Sequence, residues 1–591
     1  MQAKLTARKA FMSSMSSSGM LSKPATVADL SYNRWQMVLP AVATHLSIGG
    51  LYAWSMLNEP LSRTLGVVAS APGDWGLASV VPVFSTAVCA AGGTAALCGT
   101  WNDKVGPRTA VFLAGTLWGG GMMLGGLGVA LHQLPLVYLG YGIIGGAGIG
   151  FAYTPPVATL LRWFPDKKGL ASGMVIMGFG SGALVALPVL KHLTERNFVA
   201  PEYFGLEAAT VLGEGGVRVL ASNPLQQVVV ATQSDITKLG LSNTLLEPGV
   251  YALGGGNTGI ATALMTIGAA YTAVMCLAAI NYKVPHPDWI APTPPVAPVT
   301  TAKQTTVTAD SLVLPAGSYV LASEAVRTRQ FAQVWTSLFL NATAGIAVLG
   351  VAKTLMSDVF GSSMPTTVDA AFCAAYVGGL SLFNGVGRLA WASASDRFGR
   401  KTVYATFFAL GAPLYLSVPF CAHLAGTSDS ALPLVLFTAS TLTIISMYGG
   451  AFSVGPAYLA DLFGNKQVGN IYGKLLTAWS AAGLVGPTLL ATLRRQSEVA
   501  AIRDVAAQVD PVKFQAQFGA PVSDLDVLLA SNSVSINRLM EIAGSGVVDP
   551  TPFLYDTTMQ TMSALLVLGF VNNFMMRPVD GKLVLKETNT K

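Results

Sequence analysis

Gly99 to Arg108 reads GTWNDKVGPR, and Ala392 to Lys401 reads ASASDRFGRK. Each stretch closes a long apolar run, and each sets an Asp ahead of a Gly and a cation. Asp103 and Asp396 stand 293 positions apart, about half of the 591-residue chain. Such a turn, repeated at matching places in two halves, marks an internally duplicated membrane protein. The repeat continues beyond the turns. Pro156 and Pro456, Gly169 and Gly469, and Gly173 and Gly473 are each 300 apart.

Composition agrees. The chain is 52% hydrophobic and 11% charged, with a mean hydropathy of +0.53. A soluble chain carries roughly 25% charged residues. A bilayer-spanning helix needs about 20 apolar residues. Twelve segments qualify: 36–58, 75–98, 109–131, 134–160, 169–190, 258–281, 331–353, 368–393, 402–422, 432–456, 468–492 and 558–577. The expected fold is all-α: twelve transmembrane helices in two pseudo-symmetric six-helix bundles. Pro inside matched segments, at Pro156 and Pro456, is expected to bend helices that must flex. The 63 glycines suit close helix packing.

Charge sets the expected sidedness. With a cytosolic amino terminus, the cytosolic segments and the intrahelical cations hold 24 of 35 Lys and Arg but only 10 of 29 Asp and Glu. Lys and Arg favour short cytosolic loops, so both termini are expected in the cytosol. The expected organisation is then a cytosolic tail or targeting segment at 1–35, an amino-terminal bundle at 36–281 with an outer insertion at 191–257, and a cytosolic linker at 282–330. A carboxy-terminal bundle follows at 331–577 with an outer insertion at 493–557, and then a cytosolic tail at 578–591. Residues 1–28 are basic, Ser-rich and without Asp or Glu before Ala28, a composition shared by transit peptides and disordered tails. The plasma membrane is expected over an organellar one. The stretch Gln226 to Thr232 alternates enough to join a small outer cap, and PTPPVAPVTTAKQTTVTAD reads as a flexible linker.

Several chemistries are disfavoured. The net charge of +6 forms no aromatic-interleaved basic stripe, so no nucleic-acid partner is expected. The five Cys form no CxxC, so neither a zinc site nor a disulfide framework is supported. GGAGIG at Gly145 to Gly150 lies inside an apolar helix rather than after a strand, the wrong setting for a nucleotide loop. No cofactor and no enzymatic activity are expected, and the protein is expected to be monomeric.

Arg388 is the main candidate for function. It stands eight residues before Asp396, about 12 Å inward along a helix, in a hydrocarbon core about 30 Å thick. A cation at such depth costs at least ~2.5–3.5 kcal/mol and marks a pathway by default. No Asp or Glu stands well inside any of the twelve segments. Lys474, eight residues after Lys466, reaches a similar depth. His45 and Tyr52 share a helix face at i and i+7, and Trp479 lies about 140° around its helix from Lys474. Aromatics of this kind can wall a small carboxylate. At the turns, Asp103 and Asp396, with Arg108, Arg397 and Arg400 close by, would latch one conformational state through charge-assisted bonds.

These residues resemble a family. The Asp turns resemble those of the major facilitator superfamily. GGLYAWS (Gly49 to Ser55), RWFPDKKGLASG (Arg162 to Gly173), SEAVRTRQF (Ser323 to Phe331), NGVGRLAWASASDRFGR (Asn384 to Arg400), PAYLADLFG (Pro456 to Gly464) and TAWSAAGLVGP (Thr477 to Pro487) are similar to its oxalate:formate antiporter-like branch, related to monocarboxylate transporters. The resemblance implies a carrier of a small organic anion such as oxalate, formate or lactate, with Arg388 and Asn384 on the anion and Tyr52 in the pocket wall. The position of the family's second cation is occupied by Trp479, which favours a monocarboxylate unless Lys474 substitutes. Proton-coupled relatives carry an Asp seven residues before the Arg; Ser381 stands there, which favours exchange or facilitated movement. The alternatives are a carrier of another solute class and a non-transporting sensor or scaffold.

Overall fold

The computed structural model describes residue 21 and residues 24–206, 210–212, 218–232, 246–290, 312–315, 317–426, 430–518, 521–530, 534–544 and 546–586, with 208, 235, 236 and 239. The basic leader over 1–20 and the Pro/Thr-rich stretch 291–311 lie outside the described residues.

Among the described residues, ten helices are long and apolar enough to cross a membrane. In chain order they and two further helices are α1 (Arg34–Met56), α2 (Pro82–Val105), α3 (Pro107–Ala130), α4 (Leu134–Trp163), α5 (Lys168–Asn197) and α6 (Ile260–Ile280), then α7 (Arg329–Phe360), α8 (Ala370–Phe398), α9 (Arg400–Ala425), α10 (Leu432–Phe463), α11 (Val468–Ala506) and α12 (Asp556–Phe574). The ten are all but α8 and α12. Lipid offers no partner to peptide groups, so these apolar runs satisfy their own backbone as helices. Their contacts form two compact units. The first is Met1–Ala332, Ser453–Ser480 and Arg577–Lys591; the second is Gln333–Phe452 and Ala481–Met576.

In the first unit, α3 and α6 approach until backbones touch. A Cβ on Gly268 would stand 2.7 Å from the carbonyl oxygen of Gly119 and 3.0 Å from Met122 Cβ. The indole of Trp118 donates to the carbonyl of Ser47 at 3.0 Å and ties α3 to α1. Near the start of α4, Tyr138–Gly145 is wound as a π-helix. Between α5 and α6 the chain forms a five-stranded sheet from β1 (Tyr203–Gly205), β2 (Thr210–Leu212), β3 (Arg218–Leu220), β4 (Asn223–Ala231) and β5 (Gly249–Ala252). Its order is β1-β5-β4-β3-β2, and every pairing is antiparallel. Val229, Ala231 and Tyr251 pack against Val68, Ala69 and Ala71. Buried Arg63 anchors the same junction, donating to the carbonyls of Val68 (2.9 Å) and Asp235 (3.0 Å) and pairing with Glu59 (3.1 Å).

Two clasps in this unit grip corresponding turns. Arg34 binds both carboxylate oxygens of Asp166 (2.7 and 3.1 Å) and covers the Phe164 ring at 4.4 Å, so the start of α1 holds the α4–α5 turn. The segment before α7 holds the α10–α11 turn. The amides of Leu314 and Val320 donate to the carbonyls of Asp461 and Phe463, both at 2.9 Å, and the Lys466 ammonium sits 4.1 Å over the Tyr319 ring. Between these segments β6 (Ser318–Tyr319) pairs antiparallel with β7 (Leu585–Lys586). Lys168 and Asp461 pair at 2.9 Å.

In the second unit, α9 packs along α12. Ser563 donates to the carbonyl of Ala412 (2.9 Å), and Asn573 to that of Lys401 (2.9 Å). Asn572 joins α12 to α7 through the Gln333 carbonyl (2.7 Å) and the Ser337 hydroxyl (2.9 Å). α7 and α11 outrun their expected segments, to Phe360 and Ala506. At 39 residues α11 exceeds what a bilayer requires. Its extension carries Arg494, which meets Asp358 of α7 at 3.2 Å and the Tyr555 hydroxyl at 3.0 Å. Burial and the nearby Asp358 carboxylate push the Tyr555 phenol upward, so it stays protonated and donates to Asp358 at 2.9 Å. The two insertions are thus built differently, one as a sheet and one as helices.

Candidate functional site

In the second unit the sequence Asn384-Gly-Val-Gly-Arg388 forms one turn of α8, which puts Asn384 directly before Arg388 on the same face. The Arg388 side chain is completely buried. Its Nε donates to Asn384 Oδ1 at 3.2 Å, and its guanidinium lies 5.4 Å from the centre of the Phe452 ring. Phe452 belongs to α10, whose Gly449 makes the fit. A Cβ at Gly449 would stand 2.6 Å from Asn384 Oδ1, 3.2 Å from Arg388 Cγ, and harder still against the Asn384 carbonyl. Next to it, Trp391 donates to Ser446 Oγ at 3.1 Å and crosses Phe407 edge-on. A planar cation set beside an amide and an aromatic face is suited to a carboxylate, which it can meet with two parallel bonds.

In the first unit an aromatic cluster gathers three of the predicted residues. Tyr52 of α1 meets Trp479 of α11 with ring centres 6.5 Å apart. Phe179 of α5 and Tyr153 of α4 join them. Phe179 is 5.2 Å from Tyr52, 5.7 Å from Trp479 and 6.3 Å from His45, and Tyr153 is 5.0 Å from His45 and from Phe179. Trp479 and His45 are buried. The His45 Nε2 faces the Tyr153 carbonyl at 3.0 Å, and since a carbonyl only accepts, that nitrogen carries the proton. Lys474 is bonded to Asn470 Oδ1 on its own helix turn. Tyr153, Phe179 and Phe452 escaped the sequence reading. Their signal is faint: single aromatics among small residues, as in Gly178-Phe179-Gly180.

The two Asp turns adopt one backbone conformation. Gly106 and Gly399 have φ of 88° and 84°, a region that side chains disfavour. Asp396 takes Arg400 Nη2 at 2.7 Å, while Arg397 is exposed. Asp103 lies 3.9 Å from Arg162 at the end of α4. Arg108 is buried and donates from Nε to the carbonyl of Tyr282, just after α6, at 2.9 Å. All five cysteines are free thiols.

No family model matches the chain. Individual proteins do. "Oxalate:formate antiporter" of Oxalobacter formigenes is 25% identical over 465 residues, covering 78% of this chain and 85% of that one. "Apicoplast pyruvate carrier 1" of Toxoplasma gondii is 26% identical over 398 residues, covering 66% of this chain and 64% of the carrier, slightly under two thirds of its length. The chain is a relative of membrane carriers of the major facilitator superfamily. "Monocarboxylate transporter 13" of Bos taurus matches a shorter stretch, 34% identical over 92 residues, or 16% of this chain and 21% of that one. Like these carriers, the chain is a multi-pass membrane protein.

Proposed function

We propose that this major facilitator relative is a secondary carrier of a small organic anion, a mono- or dicarboxylate such as lactate, formate, pyruvate or oxalate. One observation carries the reading: a guanidinium completely buried in the interior of the 29-residue helix α8. A helix serving only to pack would avoid the desolvation cost of such a cation. At an effective dielectric of 20, a carboxylate 4 Å from Arg388 gains about 4 kcal/mol before desolvation, enough to select anions and still release them. Asn384 and Tyr52 would donate or orient hydrogen bonds, Trp479 and His45 would wall the solute, and Lys474 would add positive potential. α1–α6 and α7–α12 would act as two pseudo-symmetric bundles in alternating access, by exchange or facilitated movement. Asp103 with Arg162 and with Arg108 nearby, and Asp396 with Arg397 and Arg400, would latch one state on the cytosolic side, where both termini would lie.

Counterflow in proteoliposomes tests this. Preloaded carboxylate should drive uptake of labelled carboxylate through the wild-type protein, and Arg388→Ala should abolish it. Transport of a neutral sugar, equal in both proteins, would establish another solute class instead. No counterflow with any solute would favour a sensor or scaffold. We assign the plasma membrane. The relative named as an apicoplast carrier favours an organellar membrane as the second reading, and imaging of the full chain fused to a fluorescent protein separates the two.

A further inference from the structure

The second unit encloses a small gap where α7, α9 and α10 meet, lined by Asn341, Gly345, Gly411, Tyr415, Met447 and Tyr448 among others. Every residue lining it is buried. The gap offers ≈ 10 Å³ to a water-sized sphere, which is about the room one molecule needs. It persists because glycines bring the helices together unevenly. A Cβ on Gly345 would strike the Tyr448 ring, and one on Gly411 would stand 2.7 Å from Leu566 Cδ1.

Two buried polar atoms of residues lining this gap stand out. Asn341 Oδ1 and the Tyr415 hydroxyl are both buried, and neither has a hydrogen-bond partner among the described residues. Asn341 is 5% exposed and Tyr415 1% exposed. Leaving both atoms unpaired in an apolar interior is costly. Their chemistry is complementary to one small guest: the amide oxygen accepts only, and the phenol can donate. Among the described residues no charged side chain lines the gap, so an ion finds no counter-charge there. An apolar guest is too large and would leave both atoms unpaired.

We propose that this gap is a binding site for a single structural water. The water donates to Asn341 Oδ1, accepts from the Tyr415 hydroxyl, and so joins α7 to α9 beside α10. Bonds through a water re-form readily when helices shift by fractions of an ångström, so the bridge ties the helices without freezing their spacing.

Synchrotron hydroxyl-radical footprinting of the purified full chain reads the site directly, because radiolysis of a bound water oxidises the side chains around it. Met447 lines the gap, and Met562, equally buried, serves as the internal control. Met447 should be oxidised several-fold faster than Met562, and Asn341→Leu, which removes a partner and fills space, should bring it down to the control rate. Tyr415→Phe, a gentler change, should also lower it and stands in should Asn341→Leu fail to assemble. Equal rates for Met447 and Met562 in the wild type, or a Met447 rate unmoved by Tyr415→Phe, would overturn the assignment.

Discussion

At Arg388, charge alone is not enough: its usefulness depends on being held at one place, and Gly449 provides for that. Gly449→Ala would force a methyl against the Asn384 backbone and amide. Overpacking of this kind costs about 1–3 kcal/mol. The expected outcome is a protein that still inserts but exchanges carboxylate about tenfold or more slowly, since about 1.4 kcal/mol is a factor of ten; proteoliposome rates normalised to inserted protein check it. A second residue pair sets an acid limit. Burial raises the Asp166 carboxyl, but the hydrogen bonds and charge of Arg34 outweigh this and hold it below the usual carboxylate range. A depressed folded value gives stability that is present above the unfolded value near about pH 4 and is lost as pH falls through the folded one. Asp166→Asn should therefore lower the thermal unfolding midpoint at pH 7, and the gap from wild type should close below about pH 4. Arg388 was legible in the sequence because a cation in an apolar helix stands out. Gly449 and Phe452 were not, because they lie some sixty residues further along and meet Arg388 only through the packing of α10 on α8.

At the scale of elements, glycine decides how near two helices come. α3 and α6 touch at Gly119 and Gly268, where no side chain fits. In lipid such contact replaces the hydrophobic effect as the force between helices. Gly268→Val should destabilise the first unit by about 1–3 kcal/mol, seen as a lower unfolding midpoint in detergent and a reduced folded yield. The helices themselves were legible from hydropathy, and each of the ten apolar spans overlaps a segment expected from sequence. The extents were less so. α11 continues to Ala506 because Arg494 finds Asp358 and Tyr555 beyond the apolar stretch, a partnership between distant segments that no local pattern reveals. The sheet β1–β5 was only hinted at by the alternation around Gln226 to Thr232. Its strands are held by long-range pairing and by Val68 and Ala69 after α1. The clasps formed by Arg34 on Asp166 and by residues 314–320 on the α10–α11 turn were likewise invisible, because different chemistry does the same work in each.

For the whole molecule, the repeated Asp turn was the readable feature, and Gly106 and Gly399 in its two copies have nearly the same φ. The aromatic cluster of the first unit was half legible: Tyr52, His45 and Trp479 could be named, while Phe179 and Tyr153 between them could not. Trp479→Leu should leave folding intact and change which carboxylates compete, read as a shift in half-inhibitory concentrations across a panel. The proposed selection of carboxylates depends above all on the charge of one side chain. The most direct measurement is carboxylate counterflow by the wild type, Arg388→Lys and Arg388→Gln, side by side in proteoliposomes of equal protein content. Full exchange is expected of the wild type, a partial loss with Lys, which keeps the charge but not the planar fork, and near-complete loss with Gln. Undiminished exchange by Arg388→Gln would contradict that dependence.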